Sequence, residues 1–284
     1  MPDLLTTEPA SPIVVKVGGA LLDDPARERP LFDALARLHR DRAGGVVLVH
    51  GGGVAVDRLL AALGHETVRR EGIRLTPPSQ MDPIAGVLAG SVNKRLVGHL
   101  LAMGLPAVGL CLGDGGLAEC AVTDAFDFDP GRVGMVKGGR GRLLEVLLRE
   151  GFLPCVSSIG IDPKGDLLNV NADDAAAGLA RILRARELVL LTDVAGVRGA
   201  DGAILASIDE PTASRGIEAG WISGGMIAKV RGALAAARVA GVPVRIASWS
   251  DAAPLLALAA GGAAMGGTRV TIRSTSPATA ATSR

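Results

Sequence analysis

Residues 14–22 read VVKVGGALL: a β-branched run, a lysine near its end, and a glycine pair that turns the chain. A short apolar run stopping on Gly-Gly has the form of a buried parallel strand entering a sharp turn. The form recurs at 47–53, VLVHGGG, where the glycines open directly into an Ala/Leu-rich stretch. Further strand-like runs lie at 13–17, 46–49, 188–191 and 244–246, and helical spacing of apolar residues at 31–40, 54–63, 81–103, 172–183 and 227–240. Strand followed by helix, repeated, predicts an α/β protein: a three-layer αβα sandwich with a mainly parallel central sheet. The segment 104–166 is dense in turns (GDGG, DPGR, KGGRGR, DPKGD) and is expected to form hairpins projecting from that sheet. No internal repeat or long linker is present, so two lobes should share one continuous sheet. The Ser/Thr/Ala/Pro-rich tail STSPATAATSR after Arg273 is expected to be flexible.

Composition narrows the function. The chain has 284 residues, 48% of them hydrophobic, enough for a large core. Its formal charge is +1 and its aromatic content 2%, with no tyrosine, which argues against a nucleic-acid groove built on charge and stacking. Cys111, Cys120 and Cys155 show no CxxC spacing and, being three, do not all pair; a reduced cytoplasmic setting is expected. The start, MPDLLTTEPASP, lacks the basic-then-apolar order of a signal peptide, and charge, Gly or Pro interrupts every apolar run short of a membrane span.

In an open parallel sheet, ligands bind at the carboxyl ends of the strands, where both glycine clusters fall. Glycines allow close backbone approach there, and the free amides at a helix start attract anions. The chain has five lysines among 30 Lys and Arg. Two of the five stand beside glycine-rich turns, Lys16 in KVGG and Lys229 in SGGMIAKV. Compact ammonium groups next to exposed amides suit a site that holds charge on a transferring phosphate. Several alternatives are absent from the sequence. There is no GxxxxGK[ST] and no GxGxxG; HGGG at 50–53 has no GxSxG to accompany it; His39, His50, His65 and His99 lack metal-ligand spacing.

Taken in order, KVGG, VHGGG, GIRLT, LNVNADDAA, LLTDVAGV and GGMIAKV resemble the amino-acid kinase superfamily. Within it, GIRLT (72–76), SVNKRLV (91–97) and NVNAD (169–173) are similar to the acetylglutamate kinase family, in its short, arginine-insensitive branch. The likeness spans about residues 12–273 and implies the amino-acid kinase fold. It implies an N-lobe (12–185) for the acyl amino acid and dimerisation and a C-lobe (186–273) for the nucleotide, with 1–11 and 274–284 flexible.

The implied reaction phosphorylates the side-chain carboxylate of N-acetyl-L-glutamate with Mg-ATP as co-substrate and no prosthetic group. A carboxylate is ionised at neutral pH and needs no general base, only help in meeting another anion. By resemblance, Lys16 and Lys229 stabilise the transition state, with Asp173 between them holding both ammonium groups. Asp173 is alternatively the N-cap of the helix 172–183. The amides of Gly51 and Gly52 would contact the reacting carboxylate and that of Gly19 the phosphoryl group. Arg74 and Asn169 would select the substrate, with Asn171 bracing the turn before Asp173. The nucleotide would lie against Asp193, Val194, Ala195, Gly196, Val197 and Arg198, and against Trp221, Ile222 and Ser223. Arg198 stands where the family commonly has an apolar residue. Magnesium would ride on the ATP phosphates without direct protein ligands.

Resemblance also implies a homodimer formed by the helical stretch 81–103, whose apolar positions are Ile84, Val87, Leu88, Val92, Leu96 and Val97. Arginine-inhibited relatives carry a long N-terminal helix that joins dimers into hexamers. About a dozen residues precede the first strand here, so arginine feedback is not expected. Two other readings stay open: a kinase for carrier-linked aminoadipate or glutamate, since VNKRLV also suits that group, and a silent regulatory member of the fold.

Overall fold

The computed structural model describes residues 10–18, 21, 25–41, 44–261 and 266–272. Gly19, residues 1–9 of the expected flexible N-terminus and all of the expected flexible tail 274–284 lie outside these residues.

The strands alternate their side chains as period two requires. Val14, Val47, Val49, Val156, Leu188 and Leu190 share one buried cluster, and Ile13, Val15, Val46, Leu48, Val189 and Leu191 another. Apolar side chains on both faces dictate a sheet covered on both sides. The strands are β1 (Ile13–Val17), β2 (Val46–His50), β3 (Arg69–Arg70), β4 (Ile73–Arg74), β5 (Ala107–Cys111), β6 (Glu119–Val122) and β7 (Val133–Gly138). They continue with β8 (Leu153–Ser157), β9 (Ile159–Ile161), β10 (Leu167–Val170), β11 (Glu187–Thr192), β12 (Ser207–Ile208), β13 (Val244–Ser248) and β14 (Thr268–Val270). Helices are α1 (Pro25–Asp41), α2 (Gly53–Ala62), α3 (Met81–Ala85), α4 (Asn93–Ala102), α5 (Arg142–Arg149), α6 (Ala172–Ile182), α7 (Glu210–Glu218), α8 (Gly225–Ala240) and α9 (Ala253–Ala259).

Among the described residues the main sheet runs β12-β14-β13-β11-β1-β2-β8-β5. From β13 to β5 every neighbour is parallel, and β14 is antiparallel to β13. Helices α6 and α8 pack on the face of Val14 and Leu188; α1, α4 and α9 pack on the face of Val15 and Val189. The three-layer expectation holds.

The turn-dense segment is more regular than its composition suggests. Part of it does stand off the main sheet: β6 and β7 pair antiparallel in a second sheet, ordered β6-β7-β10-β9. Its other strands, β5 and β8, extend the main sheet, and α5 lies between β7 and β8. Pro154 hides β8 in the sequence, since proline removes a ladder donor. It is tolerated because β2 pairs with β8 only from Cys155 onward, while Pro154 stands opposite Val108 of β5.

The stretch 81–103 forms one helical run in which a π-helical segment, Gly86–Val92, joins α3 to α4. Ile84, Val87, Leu88, Val92 and Leu96 are buried within the protein and Val97 is half-buried, so most of this apolar stripe packs against the rest of the chain. The large apolar side chain this run exposes is Leu101, at 52%. Among the described residues no helix is long and apolar enough to cross a membrane.

Candidate active site

Strand β1 has β2 on one side and β11 on the other, so the chain winds outward in both directions from it. A crevice at such a switch point is where an open α/β sheet binds ligands. A cavity of about 280 Å³ lies there, lined by Lys16, Gly18, the three glycines 51–53, Arg69, Gly72, Ile73, Arg74, Ser158 and residues 169–173. The structure therefore gathers Lys16, Gly51, Gly52, Arg74, Asn169 and Asp173 around one space.

Lys16, the fourth residue of β1, points to the α6 face, where its Nζ meets Asp173 Oδ1 at 2.9 Å. Its side chain is 16% exposed, so the pair is partly desolvated and its attraction exceeds that of an open surface pair. The alternative role of Asp173 as helix cap is overturned: Asn171 caps α6, accepting the Asp173 amide proton at 2.8 Å. With its backbone amide held by Asn171, Asp173 directs its carboxylate at Lys16. The expectation that Asp173 holds both lysines meets a different arrangement: Lys229 Nζ lies 2.7 Å from Asp193 Oδ1. That hydrogen bond holds the Asp193 carboxyl below the ordinary carboxylate range, against its partial burial. Two separate lysine–aspartate pairs thus replace the shared one.

The glycine loop is fixed from behind. No side chain caps α2, whose first turn starts at Gly52. A Cβ on Gly52 would sit 2.8 Å from Leu88 Cδ2 and 3.3 Å from Val92 Cγ2, so a side chain here would push these residues of the π-helical segment aside. The preceding His50 is fully buried. Its Nε2 accepts a hydrogen bond from Asn93 Nδ2 at 2.9 Å, which leaves Nδ1 as the donor to the Gly51 carbonyl at 2.9 Å. Burial lowers the His50 pKa; the Gly51 contact opposes this and the Lys94 charge adds to it. A neutral, fully bonded imidazole is a strut for the loop rather than a base. Asn93 also donates to the Cys155 carbonyl at 2.9 Å, joining α4 to β2 and β8.

Arg74 stands in the hairpin β3–β4, opposite Arg69 in the register. Like charges directly across a ladder repel. Asp57 of α2 relieves this pair, with Oδ1 2.6 Å from Arg74 Nη1 and Oδ2 2.7 Å from Arg69 Nη2. Burial would raise the Asp57 pKa, but the two guanidiniums hold it below the ordinary carboxylate range. Arg74 also donates to Thr67 Oγ1 at 3.1 Å and to the Gly53 carbonyl at 3.2 Å. Its orientation is consequently fixed before any ligand arrives. Asn169 donates to Thr76 Oγ1 at 3.0 Å and lies within the same lining.

Of the residues expected around a nucleotide, Asp193, Ala195, Arg198 and Ser223 are exposed. Val197 and Ile222 belong to the core, which leaves their backbone alone for contact. Val197 N donates to Thr268 Oγ1 at 2.8 Å, and a Cβ on Gly196 would lie 2.7 Å from the same hydroxyl, so this turn is pressed against β14. Val194 N donates to Thr192 Oγ1 at 3.2 Å. Arg198 folds back to the Gly202 carbonyl at 2.8 Å, and Trp221 is half-buried against Gly216.

The sequence reading passed over Asp57, Thr76, Asn93 and Asp174. Thr76 closes GIRLT and Asn93 lies in SVNKRLV, so both stood in motifs already singled out; Asp57 carried no local signal. Asp174, the second acid of NADD, is pushed up to about 6, first by burial and then by the Asp173 charge beside it.

Residues 11–248 match the amino acid kinase family. The chain is 46% identical over 260 residues to the acetylglutamate kinase of Aeromonas salmonicida, covering 92% of this chain and 98% of that one. It is 45% identical over 240 residues to that of Colwellia psychrerythraea, covering 84% and 90%. Among solved structures, smu.665 from Streptococcus mutans superposes with a TM-score of 0.67 at 27% identity, covering 92% of this chain and 98% of that one.

Proposed function

The chain belongs to the amino acid kinase family, and we propose that it phosphorylates the side-chain carboxylate of N-acetyl-L-glutamate with ATP, a step of arginine biosynthesis. One observation carries this reading: a single cavity lined by Lys16, the open N-terminus of α2 and a pre-oriented Arg74. That set suits a small substrate with two carboxylates. It also suits a reaction that needs charge neutralisation and no base, and no histidine lines the cavity among the described residues.

In the proposed step a side-chain carboxylate oxygen attacks the γ-phosphorus of ATP. The new O–P bond forms as the β–γ bridging bond breaks, its electron pair leaving on ADP; no proton moves. The barrier is the approach of two anions and the charge spread over the phosphoryl oxygens. Lys16, steadied by Asp173, and Lys229 supply the countercharge. The amides of Gly51 and Gly52 hold the attacking carboxylate, and Gly19 follows the lysine strand as the phosphoryl-side donor. Arg74 takes the α-carboxylate bidentately, and Asn169 completes its polar surroundings.

Residues 12–185 serve the acyl amino acid and 186–273 the nucleotide, with residues 193–198 and 221–223 beside it. Magnesium enters bound to the ATP phosphates as part of the substrate. The protein acts as a cytoplasmic homodimer joined near the 81–103 run, to which Leu101 offers its exposed side chain. ADP release with Mg-ATP and N-acetyl-L-glutamate, set beside glutamate, aspartate and α-aminoadipate, tests the assignment. Turnover confined to the acetylated substrate supports it, whereas none with any free amino acid overturns it in favour of a carrier-linked substrate.

A further inference from the structure

Two of the four phenylalanines in this aromatic-poor chain, Phe126 and Phe128, sit in one surface loop rather than in the core. Their rings stack with centroids 5.0 Å apart and planes inclined at 28°. The Arg70 guanidinium lies over the Phe128 ring, its Cζ 4.0 Å from the centroid. Arg70 is the neighbour of Arg69 in β3, and the β3–β4 hairpin forms one wall of the cavity through Arg69, Gly72, Ile73 and Arg74.

Beyond the Leu75 N to Val68 carbonyl bond, the hairpin is held mainly by side chains: Arg74 by Asp57, Thr67 and the Gly53 carbonyl, and Arg70 by the aromatic loop. Its strands are two residues each, and its turn places Glu71 at φ 51° and Gly72 at φ 83°. Positive φ at both central residues gives the tight primed turn that suits a twisted ribbon, though Glu71 tolerates it less well than glycine. So short a ribbon is not stable by itself, and its position depends on side-chain contacts to its surroundings. On the inner side Asp57 binds Arg69 and Arg74. On the outer side the ring of Phe128 bears Arg70, and the exposed Asp127 carboxylate adds a weak contact at 3.5 Å. The aromatic platform is itself tied to the chain leaving the hairpin, because Thr76 N donates to the Pro130 carbonyl at 3.1 Å and Arg132 N to the Thr76 carbonyl at 2.6 Å.

We propose that Phe128 is a positioning residue for substrate binding: by seating Arg70, it fixes the β3–β4 hairpin and with it Arg74 over the cavity. The proposal rests on the acyl amino acid reading of that cavity. Arg74 would grip a carboxylate that takes no part in the chemistry, and such binding is equal in ground and transition states. Loosening the hairpin therefore raises KM for that substrate and leaves kcat unchanged. An exposed cation–π contact is worth about two- to five-fold in an equilibrium constant.

The test compares the parent protein with Phe128→Leu, which keeps apolar bulk but removes the π face, and Phe128→Trp, which keeps the face. Steady-state kinetics with N-acetyl-L-glutamate are paired with amide hydrogen exchange over residues 69–74. The expected result for Phe128→Leu is a KM about two- to five-fold higher with unchanged kcat and ATP KM, and faster exchange in the hairpin. Phe128→Trp should behave as the parent. Equal KM and equal exchange for Leu and parent overturn the inference. So does an equal loss in Leu and Trp, which assigns the role to ring shape rather than to the guanidinium contact. If the parent fails to turn over N-acetyl-L-glutamate, the functional reading falls, and hairpin exchange alone then decides whether Phe128 fastens Arg70.

Discussion

Asn169 and Arg74 are joined through one hydroxyl: Asn169 Nδ2 donates to Thr76 Oγ1 at 3.0 Å, and Thr76 donates to the Arg74 carbonyl at 3.1 Å. The two residues assigned to substrate selection come from different sheets, and a fully buried threonine sets the position of one relative to the other. Thr76→Val preserves shape but deprives the Asn169 amide of its acceptor. Asn169 is half-buried, so losing this bond costs about 0.5–1.5 kcal/mol, and kcat/KM for the acyl amino acid should fall about two- to ten-fold while ATP KM holds. Unchanged kinetics in this variant would detach Asn169 from substrate selection.

Arg74→Lys tests the bidentate grip. Lysine keeps the charge but offers no planar fork, and it deprives Thr67 of its present donor while Asp57 keeps Arg69. KM for N-acetyl-L-glutamate should rise at least ten-fold with kcat changed far less, as measured by steady-state ADP release. A fall in kcat with KM unaltered would move Arg74 from binding to chemistry.

Lys16 and Lys229 each pair with their own aspartate, at 2.9 and 2.7 Å. If both neutralise the transferring phosphoryl group, Lys229→Ala lowers kcat by at least about 10²-fold, the usual scale for one lost transition-state contact. Asp193→Asn separates holding from catalysis. It frees Lys229 of its partner but keeps the ammonium, so its kcat should stay within about ten-fold of the parent. Single-turnover rates at saturating Mg-ATP make the comparison; equal losses in both variants would mean the pair acts as a unit.

The sheet was legible in the sequence because its strands obey the simplest rule available. IVVKV and VVLVH are buried on both faces, read as continuous apolar runs, and end on glycine. The cavity lining was legible for the same reason, since glycine turns at strand ends mark where ligands approach. What stayed hidden depends on contacts between distant segments. Asp57 sits mid-helix beside Arg58 in an otherwise apolar stretch, GVAVDRLLAA, and only the fold brings it beneath Arg69 and Arg74. Pro154 disguised β8, and the apolar positions of 81–103 fit an inward face as readily as a dimer contact. The sequence offered Asp173 as a cap and Asn171 as a brace for the turn, and the amide geometry gives the cap to Asn171 instead.

Asp174 should make stability depend on pH in a direction opposite to that of a paired carboxylate. Its carboxyl is pushed up to about 6, by burial first and by the adjacent Asp173 charge second. The folded state therefore holds a proton that the unfolded chain, with an aspartate near 3.9, has already released. Between those two values stability falls as pH rises, and above about 6 the cost of ionising Asp174 is present, reduced by solvent screening because the residue is exposed. Asp174→Asn removes that cost, and because the residue is exposed and screened by solvent the variant should be more stable than the parent at pH 8 by about 1 kcal/mol or less. Below about pH 4 both proteins carry a neutral side chain at this position, and the gain should vanish. Urea unfolding at pH 8, 6 and 4.5 measures the difference, which should shrink steadily down the series. A gain independent of pH would mean that asparagine stabilises by hydrogen bonding, and a loss at pH 8 would show that the ionised Asp174 has a partner whose attraction exceeds the repulsion from Asp173.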